Sequence, residues 1–346
     1  MDNKIIIIED NKVAFYKLKE NVEQIGPVVV SYNEINDALL VHNTYSTITD
    51  LIEKKYDKYG KEISLFIIDL KLCGDSADGG IGAIKVIRSK FDNSYWRSIV
   101  PIIVYTNYAN YEELAMKAKA NVLIRKIKEI EMEESALSEK KTWKNKLETH
   151  LTTILLPEIR AYIDWYVASI EKIERTPLNI RQSVISFFRV NNDPNIKHAF
   201  IMTSFEKNYE KAIEKALEEV KKHYLVETHM ANTNGEVSDD LFANISGLMH
   251  CCDFGIGIFF DDSKKGNAIN PNLALEVGYM LGIGKKICYL KDNSLPQLPV
   301  DLISKIYTKY KKTKTAKGKD IPVMTDALMK WIQDVSKELK IEERPG

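Results

Sequence analysis

Two groups of residues in this chain combine reactive side chains at positions from which they could act together. In the first, each member stands at the end of a short β-branched run. Glu9 and Asp10 follow Lys4 to Ile8, Asp69 closes Leu65 to Asp69, Thr106 follows Ile102 to Tyr105, and Lys126 comes just after Asn121 to Ile124. Three carboxylates brought to one place repel one another, and the usual remedies are a divalent cation with oxygen ligands and a nearby ammonium. A hydroxyl and a lysine at the remaining strand ends could then hold the oxygens of a phosphoryl group.

The second group lies in Asn270-Pro271-Asn272-Leu273-Ala274-Leu275-Glu276-Val277-Gly278-Tyr279-Met280-Leu281-Gly282. Asn270 is a good N-cap and Pro271 suits the first helical position, so a helix must begin here. Leu273, Val277, Met280 and Leu281 give it an apolar face. Asn272, Glu276 and Tyr279 fall at i, i+4 and i+7, which lets the asparagine and the tyrosine flank the carboxylate. Gly278 and Gly282 would allow another backbone to come close. A carboxylate beside a strand end can stabilise or capture the oxocarbenium-like carbon formed when an N-glycosidic bond breaks.

The elements that position these groups are legible in the hydrophobic pattern. With 346 residues, two domains are expected. Strands expected at Lys4 to Ile8, Val28 to Ser31, Leu65 to Asp69, Ile102 to Tyr105 and Asn121 to Ile124 alternate with amphipathic stretches at Lys12 to Gln24, Ala38 to Lys55, Gly82 to Lys90 and Tyr111 to Lys119. A second alternation starts with Ala199 to Thr203 and closes with Lys286 to Leu290. Both read as α/β, doubly wound parallel sheets, in which functional groups gather beyond the carboxyl ends of the strands. Between them, Leu147, Leu151, Ile154, Leu155, Ile159, Tyr162, Ile163 and Tyr166 recur at helical spacing. This helical connector should break or kink at Pro157. Its apolar stripe either docks on a domain or makes a homodimer. The expected division is 1–135, 136–195 and 196–346.

Composition limits the rest. Hydrophobic residues make up 45% and the 49 basic residues balance 49 acidic ones, so a globular chain with no overall attraction to nucleic acid or anionic lipid is expected. No apolar stretch approaches the ~20 residues of a membrane span, and the start shows no signal-peptide pattern. Cys73, Cys251, Cys252 and Cys288 have neither CxxC nor disulfide-framework spacing, which fits a cytoplasmic location. The histidines show no zinc-ligand spacing. The lysine-rich run Lys305 to Lys319 reads as a solvated loop, and no helix-turn-helix signal points to DNA.

The first group resembles the receiver domain of bacterial response regulators, over about residues 1 to 135. The family's acidic pair, acceptor aspartate, hydroxyl and lysine match Glu9, Asp10, Asp69, Thr106 and Lys126, and Asp78-Gly79-Gly80 matches its loop before the third helix. The resemblance implies that Asp69 accepts phosphate from a histidine kinase, with Mg²⁺ on Asp10, Asp69 and the Lys71 carbonyl, Glu9 assisting. Ile127, Asn107 and Leu123 depart from the family pattern, which implies an unusual output route. The second group, over about Ala199 to Lys291, looks like the nucleoside 2-deoxyribosyltransferases and the related TIR-like nucleotide hydrolases. That resemblance makes Glu276 the catalytic glutamate and lines the nucleotide site with Thr203, Ser204 and Phe205. It places Asn270 and Asn244 where the transferases carry aspartates, which favours NAD or another nucleotide as substrate for hydrolysis.

The expected protein is a phosphorylation-regulated effector that cleaves the N-glycosidic bond of NAD or a related nucleotide, suited to bacterial stress or phage defence. The alternatives are a deoxyribosyltransferase of salvage and a non-catalytic nucleotide-sensing module.

Overall fold

The computed structural model describes residues 3–40, 45–72, 78–89, 95–133, 140–204, 207–231, 241–260, 270–293, 295, 307–314 and 320–345. Cys73 and Phe205 fall outside them. The chain divides into two compact units, one of residues 1–174 and 188–194, the other of 175–187 and 195–346. The expected connector is therefore shared between them. Both units are α/β with parallel sheets.

In the first unit, strands β1 (Lys4–Ile8), β2 (Ile63–Ile68), β3 (Ile102–Thr106) and β4 (Val122–Arg125) pair in that order, all parallel. β2 is buried along its whole length, as a run of Ile, Leu and Phe flanked on both faces requires. The strand expected at Val28 to Ser31 is reduced to one parallel bridge, Ile5 with Val28, on the other side of β1. Pro27 precedes it and has no N–H for the ladder. The helix expected over Ala38 to Lys55 is replaced by two, Tyr32–Leu40 and Tyr45–Tyr59.

Pro157 does not break its helix. Helix α7 (Lys140–His150) passes through a π-helical segment, Leu151–Leu155, into α8 (Leu156–Arg175). The wider i to i+5 spacing accommodates a residue with no N–H to give. Two threonines supply donors there, Thr152 Oγ1 to Glu148 O at 2.7 Å and Thr153 Oγ1 to Thr149 O at 2.7 Å. The apolar stripe is docked within the first unit: Ile159, Tyr162, Ile163, Tyr166 and Ile170 are buried, and Tyr162 and Tyr166 donate their hydroxyls to the Asn121 and Lys61 carbonyls.

The second unit repeats the winding. β5 (Lys197–Thr203) has β6 (Val226–His229) on one side and β7 (Phe254–Phe259), β8 (Lys286–Asp292) and β9 (Thr308–Lys314) in turn on the other, all parallel. β10 (Asp320–Val323) closes the edge antiparallel to β9. Part of the lysine-rich run is thus a strand instead of a solvated loop: in Thr308–Lys314 Tyr310 turns inward and is buried while Lys309 and Lys311 face solvent, the period-2 pattern of a strand. Alternation also sorts β7. Phe254, Ile256 and Ile258 join the core on one face, whereas Gly255 on the other leaves room for the helix Pro271–Gly282, here α12. A Cβ on Gly255 would stand 2.9 Å from Met280 Sδ of that helix. The close approach is therefore made by strand glycines, and Gly278 and Gly282, with nothing within 4 Å of a built Cβ, do not provide it.

Candidate functional site

In the first unit the winding reverses between β1 and β2, the position where open α/β sheets bind ligands. β1 delivers Glu9 and Asp10 there and β2 delivers Asp69. Oxygens of Glu9, Asp10 and Asp69 lie within 4.8 Å of one another. Lys126, from the end of β4, reaches across. Its ammonium donates to Glu9 Oε2 at 2.6 Å, to Asp69 Oδ2 at 2.8 Å and to Glu131 Oε1 at 3.3 Å. The lysine side chain is 0% exposed, so its pairs with Glu9 and Asp69 are made away from water.

Burial in this way costs several kcal/mol per ion and is tolerated only when opposite charges and hydrogen bonds answer it. Burial acts to discharge Lys126, but Glu9 and Asp69 outweigh it and its pKa is raised. Burial, with Asp69 beside it, holds Glu9 up at about 7 against the pull of Lys126. The second Glu9 oxygen accepts the Asn11 N–H at 3.0 Å. Asp69 Oδ1, by contrast, is buried with no hydrogen-bond partner among the described residues. A buried carboxylate oxygen left over beside two more acids is what an oxygen-ligated divalent cation would satisfy, so the donor set fits Mg²⁺.

Thr106 is fully buried at the end of β3, and its carbonyl accepts the Lys126 N–H at 2.8 Å, which places hydroxyl and lysine on adjacent strand ends. Lys71, two residues beyond Asp69, is half-buried. Gly80, whose N–H donates to the Leu70 carbonyl at 2.8 Å, packs so closely on the Asp69 and Leu70 backbone that any side chain would collide with it. Leu123 lies on β4, and Tyr105, next to Thr106, stacks on His150 of α7, with ring centroids 5.9 Å apart at 29°. The sequence reading missed Glu131 and His150. Glu131 is folded back by a 3₁₀ turn, Lys128–Ile130, whose only trace in sequence is an acid a few residues after the lysine.

In the second unit the same reversal lies between β5 and β7, and α12 packs over β5, β7 and β8 through Leu273, Val277 and Met280. Asn270 Oδ1 accepts the Asn272 N–H at 2.9 Å, and Pro271 takes the first turn, so the helix begins as its sequence requires. Glu276 is partly buried on it, and among the described residues no hydrogen bond or ion pair reaches its carboxylate. Burial alone raises its pKa to about 7. A carboxyl group of that kind is half protonated near neutrality and can serve as acid or, ionised, as a charge stabiliser.

The expected partners of Glu276 divide. Thr203 and Ser204 lie at the carboxyl end of β5, the first half-buried and the second buried. Asn272 is exposed. Tyr279 directs its hydroxyl to His250 Nε2 at 3.0 Å, and Asn270 is committed to its cap. Asn244 accepts a hydrogen bond from Ser183 Oγ at 3.3 Å, which turns it toward helix Arg181–Val190. Asp253 marks the start of β7 and accepts the His198 N–H at 2.9 Å, a structural clamp between strands. Sequence spacing gave no sign of two further contacts: His198 Nδ1 lies 3.0 Å from His229 Nε2, and Asp292 accepts from Tyr209 Oη at 2.9 Å and Lys312 Nζ at 2.8 Å.

No family model matches the chain, and no curated protein matches it. Among solved structures it is similar to a response regulator receiver protein from Pseudomonas putida, at 19% identity over 36% of this chain and 87% of that one, with a TM-score of 0.26. A response regulator receiver domain protein from Clostridium thermocellum is 17% identical over 44% of this chain and 99% of its own, TM-score 0.26. RcsB from Salmonella enterica serovar Typhimurium, bound to promoter rprA in the presence of phosphomimetic BeF3−, is 17% identical over 56% of this chain and 93% of its own, TM-score 0.26. Among the described residues no helix is long and apolar enough to cross a membrane.

Proposed function

We propose that the chain is a phosphorylation-regulated signalling protein whose second unit cleaves the N-glycosidic bond of NAD or a related nucleotide. The observation that carries the regulatory half is the buried Lys126 ammonium bridging Asp69 and Glu9 while Asp69 Oδ1 has no hydrogen-bond partner among the described residues. Asp69 would attack the phosphorus of a histidine kinase's phosphohistidine, forming an O–P bond as the P–N bond breaks and its electron pair returns to the imidazole. Asp10, Asp69 and the Lys71 carbonyl would hold Mg²⁺, with Glu9 beside them, and the cation would offset charge on the phosphoryl oxygens. Lys126 can then trade one carboxylate for a phosphoryl oxygen, and Thr106 can donate to another. The stacking of Tyr105 on His150 supplies a route by which a change at Thr106 would reach α7.

The enzymatic half rests on Glu276. As the bond from the sugar carbon to the base breaks, the electron pair leaves with the base, and the ionised carboxylate stabilises the oxocarbenium-like carbon until water adds and gives up a proton. Engagement of Asn244 and Asn270 elsewhere in the fold favours hydrolysis over base exchange.

The test incubates the full chain with Mg²⁺ and acetyl phosphate and follows the phosphoryl mass increment, then screens NAD, ATP and deoxynucleosides for free base. A phosphoryl adduct on the wild type that is absent from Asp69→Asn, together with base release absent from Glu276→Gln, is expected. An adduct without cleavage of any nucleotide would leave a signalling module with a non-catalytic second unit, and no adduct would remove the regulatory half.

A further inference from the structure

At the end of the first sheet opposite Asp69, beside the amino ends of β3 and β4, lies a cavity of about 420 Å³ whose lining belongs entirely to the first unit. Three cations, Arg88, Lys119 and Arg189, line it, and no carboxylate does among the described residues. Among the described residues Arg88 is held by neutral acceptors: Nε donates to the Lys119 carbonyl at 2.9 Å, Nη1 to the Val100 carbonyl at 2.7 Å and Nη2 to Asn121 Oδ1 at 2.9 Å. A guanidinium has five N–H groups, so two remain after these three bonds. The same Asn121 oxygen accepts the Ile102 N–H at 2.8 Å, which fixes the fork against the sheet before any ligand arrives. Burial lowers the pKa of Arg88 to about 10, the mark of a cation short of counter-charge.

The other wall is apolar and open. Met116 is 44% exposed and Val190 78% exposed, while Arg189 is tethered by its Nε to Ser98 Oγ at 2.9 Å. A volume of this size falls in the range of small-molecule sites, and a mostly apolar wall with a few fixed polar groups is their usual make-up. Three cationic residues lining one space with no acid among the lining residues match a doubly charged head better than a singly charged one.

We infer that this cavity binds a small organic anion, with a phosphate monoester fitting it best, its charged head on Arg88, Lys119 and Arg189 and its apolar part against Met116 and Val190. The site is independent of Asp69 and of Glu276. It includes part of segment 188–194, the last residues of the first unit before the chain passes into 195–346.

The test uses the full chain without Mg²⁺ and phenyl phosphate as the probe, read by thermal shift and by hydrogen exchange of peptides covering 97–121 and 188–192. Phenyl phosphate is expected to protect both peptides, and the variant Lys119→Glu/Arg189→Glu, altered only at exposed residues, to bind it at least tenfold more weakly. Asp69→Asn and Glu276→Gln should bind it as the wild type does, which separates this site from both centres of the proposed function. Arg88→Lys, which keeps the charge and loses the fork, should bind more weakly than wild type. Phenylacetate as a second arm distinguishes the head group: tight binding of either anion supports the site and names its preference. Equal protection by phenol, unchanged affinity in the double variant, or no protection by millimolar phenyl phosphate would overturn the inference.

Discussion

The two units carry acidic side chains on different elements, strand ends in the first and a helix in the second, and treat them in opposite ways. In the first, Glu9, Asp10 and Asp69 converge and a buried lysine is driven among them, so each charge exists because of its neighbours. In the second, Glu276 sits on a capped helix with no counter-charge among the described residues, and burial alone sets its proton affinity. The winding of a sheet thus selects where reactive groups collect, while the charge brought by the neighbouring strand ends decides what they can do. A compensated cluster can exchange one anion for another. An uncompensated carboxyl group is poised to change its own charge.

The largest effect should come from removing the compensating charge. Lys126→Met leaves Glu9 and Asp69 buried together and is expected to lose about 3–5 kcal/mol, measured by urea unfolding at pH 7.5. Millimolar Mg²⁺ should recover part of that loss, because a cation would then answer the same carboxylates. Little loss would mean that water already reaches the cluster.

Next in size is the opposite response of the second unit. The folded-state pKa of Glu276 is raised above its unfolded value, so the folded chain binds the extra proton between about 4.5 and 7, and stability falls as pH rises through that window. Glu276→Gln removes the charge. It should stabilise the protein by about 1–2 kcal/mol at pH 8, after allowance for partial solvent contact, and by almost nothing at pH 4.5. A destabilised variant at pH 8 would indicate a cationic partner for Glu276.

How far these contrasts could be read from sequence differs between the units. The strand ends that carry Glu9, Asp10, Asp69, Thr106 and Lys126 are legible because each closes or follows a short apolar run of strand length, buried throughout in the strands before Asp69 and up to Thr106. The helix of Glu276 is legible because Asn270 and Pro271 announce its start. What escaped depends on turns and contacts that hydrophobic periodicity does not encode. Glu131 reaches Lys126 only through a 3₁₀ turn, Lys312 enters a strand only because Asp292 and Tyr209 wait at its neighbour, and Pro157 is absorbed by a π-helical turn that propensity does not foresee.

Metal binding sharpens the contrast further. Mg²⁺ titration should raise the Tm of the wild type by a few degrees, an effect reduced in Asp10→Asn and Asp69→Asn and unchanged in Glu276→Gln. The smallest expected effect is at Glu131, which is partly exposed: Glu131→Gln should change stability by less than about 1 kcal/mol. Because it frees one bond of Lys126, it should still prolong the phosphoryl adduct on Asp69, measured by its decay after removal of acetyl phosphate.

The most direct test is nicotinamide release from NAD, followed by chromatography for the wild type, Asp69→Asn and Glu276→Gln, each with Mg²⁺ and with or without acetyl phosphate. Release by the wild type that depends on the phosphodonor, loses that dependence in Asp69→Asn and vanishes in Glu276→Gln is the expected result. Release that persists undiminished in Glu276→Gln, or that ignores the phosphodonor in the wild type, would contradict a glycosidic centre governed by phosphorylation.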